Sequence, residues 1–259
     1  PYNESKTSYN NNSIGGYHAA KLLRYQELID RQIRHFETDE SQKWNKKKRT
    51  QFFLQLKNKN VLRMLNCGWI IKSNGKEVGY KKNSLEWTQL GLLTPLGDSW
   101  FVSEIDTVEN VNEELKSLDS FNPEITAIVD KRFSDQITEF TKDVSDSIWL
   151  DQDSYKPNHL TYILKNINSE KLAVFSEIYY EKGWNAYIDG KIVPHFRANY
   201  VLRAMMVPEG TTKIEFKFEP TSYSTGESVA YASSIILLLL LGFVSYREVK
   251  RKIEESQVE

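Results

Sequence analysis

The sequence predicts an α+β protein in which an N-terminal α/β region is followed by a β-sandwich, of jelly-roll or Ig-like type, and by one C-terminal transmembrane helix. Three observations carry that prediction. Apolar residues near the N-terminus recur at helical spacing, the period changes to two beyond Ser145, and a run from Val229 to Tyr246 contains no charge. The expected organisation is therefore an α+β region over 1–145, a sandwich over 146–220, a polar linker over 221–228, a membrane helix over 229–246 and a tail over 247–259. With 259 residues, 40% of them hydrophobic and 27% charged, the chain is long and apolar enough to bury a core. Its 34 basic and 35 acidic residues leave a net charge of −1, which provides no basic field for a nucleic-acid backbone. A single cysteine, Cys67, excludes an intrachain disulfide and any multi-cysteine metal site.

The elements follow in order. Residues 1–16 are rich in Asn, Ser, Tyr and Gly and read as a loop. Leu22, Tyr25, Ile29, Ile33 and Phe36 then define an amphipathic helix over about 18–37, and Phe52, Phe53, Leu56, Leu62 and Leu65 define a second over about 40–65. The basic run Lys43, Lys46, Lys47, Lys48 and Arg49 reads as a solvated helix face. Trp69 to Ile71, an Asn74-Gly75 turn and then Val78 and Tyr80 give a hairpin signal. A strand is expected over Trp100–Ile105, a short helix over Val111–Leu118 and a strand over Ile125–Val129.

Beyond Ser145, strands are expected at 159–164, 172–180, 184–188, 191–195, 200–207 and 212–218, separated by turn residues such as Asp189-Gly190 and Pro208-Glu209-Gly210. In the last of them Ile214, Phe216 and Phe218 alternate with Lys213, Glu215 and Lys217, the pattern of a half-buried strand. The uncharged run 229–246 makes about 27 Å of helix, close to a bilayer's hydrocarbon core. Arg247, Lys250, Arg251 and Lys252 follow it directly, so the tail is expected in the cytoplasm and the body outside. The N-terminus starts Pro1, Tyr2, Asn3, Glu4 with no basic or apolar leader, so export of the body is expected to depend on a removed signal or on upstream membrane helices.

Chemistry-bearing motifs are few. His18, His35, His159 and His195 stand far apart with no metal-ligand spacing, and no nucleophile elbow, P-loop or dinucleotide fingerprint occurs, so neither a catalytic residue nor a metal or cofactor site is assigned. Asp151 and Asp153 would share one face of a strand and could offer an acid/base pair or hold a cation, although such a pair is more often a polar strand face or turn. Trp184, Tyr187, Arg197, Asn199 and Tyr200 have the types that stack on and hydrogen-bond a sugar, or that fill a core. The segment around Gly15 and Gly16 allows close backbone approach, and with Tyr17, His18, Lys21 and Arg24 at a helix start it is the candidate site for an anionic or sugar ligand.

The blocks SIGGYHAAKLLRYQELIDRQI (13–33), VLRMLNCGWII (61–71), SWFVSEIDTVENVNEEL (99–115) and FSEIYYEKGWNAYIDGKIVPHFRANYVLRAMMVPEGTTKIEFKFEP (175–220) resemble the C-terminal part of the YfhO family of bacterial membrane proteins. The resemblance implies a polytopic protein of the bacterial inner membrane, similar to GT-C glycosyltransferases. Such a protein uses a polyprenyl-phosphate-linked sugar to modify a cell-envelope polymer on the outer face. It also implies that the catalytic acid lies in an upstream membrane part, so this stretch alone is expected to be inactive and to need no cofactor. The expected partners are the lipid bilayer, the polyprenyl-phosphate sugar or glycan acceptor, and that upstream part. A glycan- or protein-binding assembly module without transfer chemistry is the alternative.

Overall fold

A computed structural model describes residues 13–14, 21–33, 60–73, 87–92, 94–142 and 146–256. The chain forms two compact units, one of 1–179 with 186–216 and one of 180–185 with 217–259.

The larger unit is layered. Helix α1 (Leu23–Leu28) continues into a π-helical turn, Ile29–Ile33, and α2 is the short Asn60–Met64. Leu22 has an extended backbone and offers no side-chain cap, so the helix starts later than the apolar spacing suggested. Strands β1 (Trp69–Ser73) and β2 (Trp87–Leu92) pair antiparallel with Ser73 opposite Trp87. The return strand of that hairpin is thus 87–92, whereas Asn74, Gly75, Val78 and Tyr80 lie outside the described residues, as do the 34–59 portions of the two expected helices.

A six-stranded sheet follows, built from β3 (Ser99–Val102), β4 (Glu104–Val108), β5 (Thr126–Asp130), β8 (Lys171–Ile178), β11 (Phe196–Ala198) and β12 (Leu202–Val207) in the order β3-β8-β12-β11-β5-β4. The single strand expected over 100–105 is two strands broken at Ser103, and they occupy opposite edges of the sheet. Only one residue separates Val102 from Glu104, so the two edges meet there and the sheet must curl. The amides of Ser103 and Glu104 both donate to Ile125 O, at 2.9 and 3.0 Å, which fixes the corner. Helix α3 (Val111–Ser117) connects the parallel pair β4 and β5, a βαβ unit. Asn110 caps it through its side chain, accepting from the amides of Asn112 and Glu113. Because β3, β4 and β5 share a sheet with β8, β11 and β12, the boundary expected at 145 falls inside one sheet.

The second sheet has the order β10-β9-β13-β7-β6, from β6 (Ser147–Leu150), β7 (His159–Lys165), β9 (Trp184–Ile188), β10 (Lys191–Val193) and β13 (Lys213–Phe218). Asp189 and Gly190, both at positive φ (49° and 75°), make the two-residue turn between β9 and β10. Strands β6 and β11 are additions to the sequence expectation.

Alternation sorts the side chains into two cores. Leu172, Val174, Leu202 and Ala204 face the helices and pack with Leu28, Ile29, Val61, Met64 and Leu115. Between the sheets, Tyr162 of β7, Phe175 of β8 and Phe216 of β13 form a triangle of edge-on rings, with centroids 4.7, 4.9 and 6.0 Å apart. Such contacts add about 0.5–1.5 kcal/mol each to the area they bury. A fully buried ion pair, Lys171 with Asp146 at 2.9 Å, closes the end of β8.

In the smaller unit the amide of Glu219 donates to Gly183 O at 2.6 Å, and the Trp184 ring lies against Phe218 at 5.4 Å. Gly183 sits at φ +122° with Phe218 so near that a Cβ would lie 2.8 Å from its ring, so only glycine fits. Helix α4 (Thr221–Ser256) then runs for 36 residues. The segment 221–228, expected as a polar link, is its first two turns. Tyr223 N donates to Pro220 O at 3.0 Å, and Tyr223 Oη donates to Glu227 one turn on. Every side chain from Ile235 to Leu241 is 57–68% exposed, so this is an uncovered apolar helix and not the buried helix of a soluble core.

Replacing Phe216 with Ala should cost about 3–5 kcal/mol, read as a lower urea midpoint for the full chain in micelles. Tyr162→Phe should shift the same midpoint by less than about 1 kcal/mol, because the buried Tyr162 hydroxyl has no hydrogen-bond partner among the described residues.

Candidate functional site

The polar groups that the fold brings together converge on one carboxylate. Glu114, in the first turn of α3, is 0% exposed. Its Oε2 accepts from Arg24 Nη1 of α1 at 2.8 Å and from Arg197 Nη2 of β11 at 3.4 Å, and its Oε1 accepts from the Tyr200 amide at 3.1 Å. Two cations and one amide therefore face a single buried anion, the condition under which a charge survives desolvation.

The turn between β11 and β12 is shaped for this. Asn199 and Tyr200 both adopt positive φ, 50° and 73°, which for a tyrosine is a strained backbone. Asn199 holds the first of them by pairing twice with Ile128, its amide donating to Ile128 O at 2.8 Å and its Oδ1 accepting from Ile128 N at 2.9 Å. The resulting bend aims the Tyr200 amide at Glu114. Tyr200 Oη donates to Glu27 at 2.5 Å, and the Arg24 guanidinium lies 4.7 Å over its ring. Burial and the bond to Glu27 push the Tyr200 hydroxyl up to about 12.

A second carboxylate extends the cluster. Asp130 Oδ2 receives Arg132 Nη2 at 2.7 Å, with Arg197 Nη2 3.6 Å away. The Arg132 hydrogen bond holds Asp130 below the usual carboxylate range. Burial lowers the pKa of Arg197 and is opposed by Glu114. Arg197 Nε and Asn199 Nδ2 are buried without a hydrogen-bond partner among the described residues.

Of the residues singled out from sequence, Gly15, Gly16, Tyr17 and His18 lie outside the described residues. Lys21 is half-buried just before α1, and Tyr25 Oη ties that helix to Ile14 O at 2.5 Å. Arg24, a candidate ligand-binding residue, pairs through Nη1 with Glu114. Arg197, Asn199 and Tyr200 are likewise committed to the protein's own carboxylate and to Ile128, which takes them out of an open sugar-stacking surface. Asp151 and Asp153 sit in a turn beyond β6, where Asp151 Oδ1 accepts from Asp153 N at 3.2 Å, so they do not share a strand face. Among the described residues no cluster of His, Cys, Asp and Glu is arranged to hold a metal. Glu114 carries no sequence signal beyond lying three residues after Val111 in a charged helix.

The sandwich interior holds a further polar group. His195 lies 5.5 Å from Phe216 and 5.5 Å from Tyr179, ring to ring, and burial, with a contribution from Arg203, lowers its pKa to about 4. Glu177 is shifted the other way, upward by burial and partly offset by Arg203.

The family described as bacterial membrane protein YfhO matches residues 30–230, more than half of the chain. The chain belongs to the YfhO family. The matched span takes in Glu114, the Arg197–Tyr200 turn and the first part of α4, while Arg24 and Glu27 precede it. Membership in YfhO, together with an apolar helix uncovered along its length, makes this a membrane-associated protein. No curated protein and no solved structure matches the chain.

Glu114→Ala should destabilise the protein by about 3–5 kcal/mol, because two arginines and a strained amide lose their acceptor. Urea unfolding of the full chain in micelles measures this. His195 sets a pH dependence of defined sign. Unfolded, it takes a proton near 6.5, and folded only near 4, so across that window the unfolded chain binds more protons. Its contribution to stability is therefore complete above the upper value and falls as pH drops toward the lower one. Glu177 acts in the opposite sense, so the difference between the wild-type and His195→Phe profiles isolates the histidine: as pH falls from 6.5 to 4, the wild type should lose stability relative to the variant.

Proposed function

We propose that this chain is the extracytoplasmic C-terminal part, with the last transmembrane helix, of a polytopic glycosyltransferase-like protein of the bacterial inner membrane. The whole protein transfers sugar from a polyprenyl-phosphate carrier to a cell-envelope polymer. The observation that carries this reading is the uncovered helix α4 in a YfhO-family chain, its apolar run followed at once by Arg247, Lys250, Arg251 and Lys252. Basic residues at the end of a spanning helix are retained on the cytoplasmic side, which leaves the layered body outside, where lipid-linked sugars are consumed.

In this reading the body is a wall of the acceptor cleft, and the transfer chemistry belongs to an upstream membrane part. Glu114 and its arginines hold that wall in shape. The segment Gly15, Gly16, Tyr17 and His18, with Lys21, is the part we place nearest substrate, because two glycines permit close backbone approach and the residues after them offer hydrogen-bonding and basic groups. Arg24 acts through the Glu114 cluster.

Sidedness and transfer are tested separately. In a Cys67→Ser background, a cysteine at Glu209 should react with a membrane-impermeant maleimide on intact cells, and one at Val249 only after permeabilisation; the reverse pattern would overturn the topology. In the whole protein, His18→Ala should lower sugar incorporation into the envelope by about tenfold or more at unchanged protein level. Arg24→Ala should lower both incorporation and the amount of folded protein.

A further inference from the structure

Helix α4 keeps its apolar character past the point where its charges begin. Tyr246, Val249 and Ile253 are 65, 57 and 53% exposed. At about 100° per residue they fall within an arc of about 60°, and Ile235 and Leu239 lie along the same side of the helix. The cations flank this stripe. Lys250 and Arg247 stand at one edge of it and Lys252 at the other, while Arg251 and Glu248 stand further round, joined by an ion pair of 2.6 Å. All five charged side chains are exposed. Over 247–252, four cations against one carboxylate leave a net charge of +3.

Depth matters as much as charge. Arg247 to Lys252 begin one residue past the uncharged run and end six past it, about 1.5–9 Å along the helix axis. The headgroup layer on each side of a bilayer is about 5–8 Å thick. These cations therefore leave the hydrocarbon at the level of the lipid phosphates. Lys and Arg stems lie along apolar surface while their charges reach outward, so the stripe and its flanking cations fit the acyl boundary and the phosphates above it at the same time.

These observations fix the complementary chemistry. A dissolved phosphate offers negative charge but nothing to cover Tyr246, Val249 and Ile253. A zwitterionic lipid covers them but brings its own cation beside its phosphate, which a net charge of +3 opposes. A lipid with a net negative headgroup meets both demands. We propose that the end of α4 from Arg247 to Ile253 is a docking surface for anionic phospholipid, with its cations on headgroup phosphates and its apolar stripe against the acyl chains. The surface lies on the smaller unit alone. It rests on α4 spanning the bilayer, and neither on which side the ends lie nor on sugar transfer.

The test is the lipid selectivity of the full chain reconstituted in phosphatidylcholine bilayers, read from the motionally restricted fraction of nitroxide-labelled lipids. At low salt, labelled phosphatidylglycerol should associate about fivefold more strongly than labelled phosphatidylcholine. High salt should reduce that preference. Arg247→Gln, Lys250→Gln, Arg251→Gln and Lys252→Gln together should abolish it, whereas Arg247→Lys with Arg251→Lys should retain it. The side chains changed are exposed, so the urea midpoint of the body should not move. Equal association of the two lipids with the wild type, a preference untouched by the glutamine substitutions, or its loss in the lysine variant would each overturn the proposal. So would displacement of labelled phosphatidylglycerol by inorganic phosphate beyond the effect of chloride at equal ionic strength, which marks a site for the dissolved anion. A restricted fraction without preference removes the docking surface alone, whereas no restricted fraction with either lipid removes the spanning helix and the surface together.

Discussion

A carboxylate with no access to water is the constraint around which the larger unit is arranged. Glu114 reaches that position because α3 bridges β4 and β5 and turns its first-turn glutamate inward. Once there it must be matched, and the matching groups come from α1, from β11 and from the backbone of the following turn. Each belongs to a different layer or a different stretch of sequence, so one desolvated charge dictates where a helix and a strand corner must sit. The strained φ of Asn199 and Tyr200 fits this account, since a relaxed turn would aim the Tyr200 amide elsewhere. The apolar cores supply the bulk of the driving force, and the carboxylate selects one arrangement of the elements that share it.

Layering explains the strand patterns. Strands β8 and β12 lie between the helices on one side and the second sheet on the other, so they are apolar on both faces and lose the clean alternation of β13. The same double burial brings Arg203 into the interior, where its Nε reaches Ile178 O at 3.2 Å and its guanidinium lies 5.2 Å over Phe216. Arg203 is thus contacted there by an aromatic face and a backbone oxygen.

How much of this the sequence discloses depends on the range of the interaction. Local signals read through: the alternation of β13, the Asp189-Gly190 turn, the extent of β9 and the short helix before Asn122-Pro123 all depend on neighbours within a few residues. Short strands without alternation do not, which is why β6 and the three-residue β11 escape notice. The break at Ser103 has no glycine or proline to mark it, since the corner is made by two bonds to Ile125 from across the sheet. The ionic cluster is the least legible feature. Its partners are separated by 90, 83 and 86 residues, and nothing in the local composition of Arg24, Glu114 or Arg197 couples them. Their residue types fit a ligand as readily as an internal anion, and only the tertiary structure reveals the pairing with Glu114.

Helix α4 has 36 residues and is therefore about 54 Å long, whereas a hydrocarbon core is about 30 Å thick. The surplus of several turns continues the apolar stretch within one helix. A bilayer that took up the apolar stretch would set the tilt of the polar turns along with it. Bilayer thickness would then act mechanically on the turns at either end of the helix.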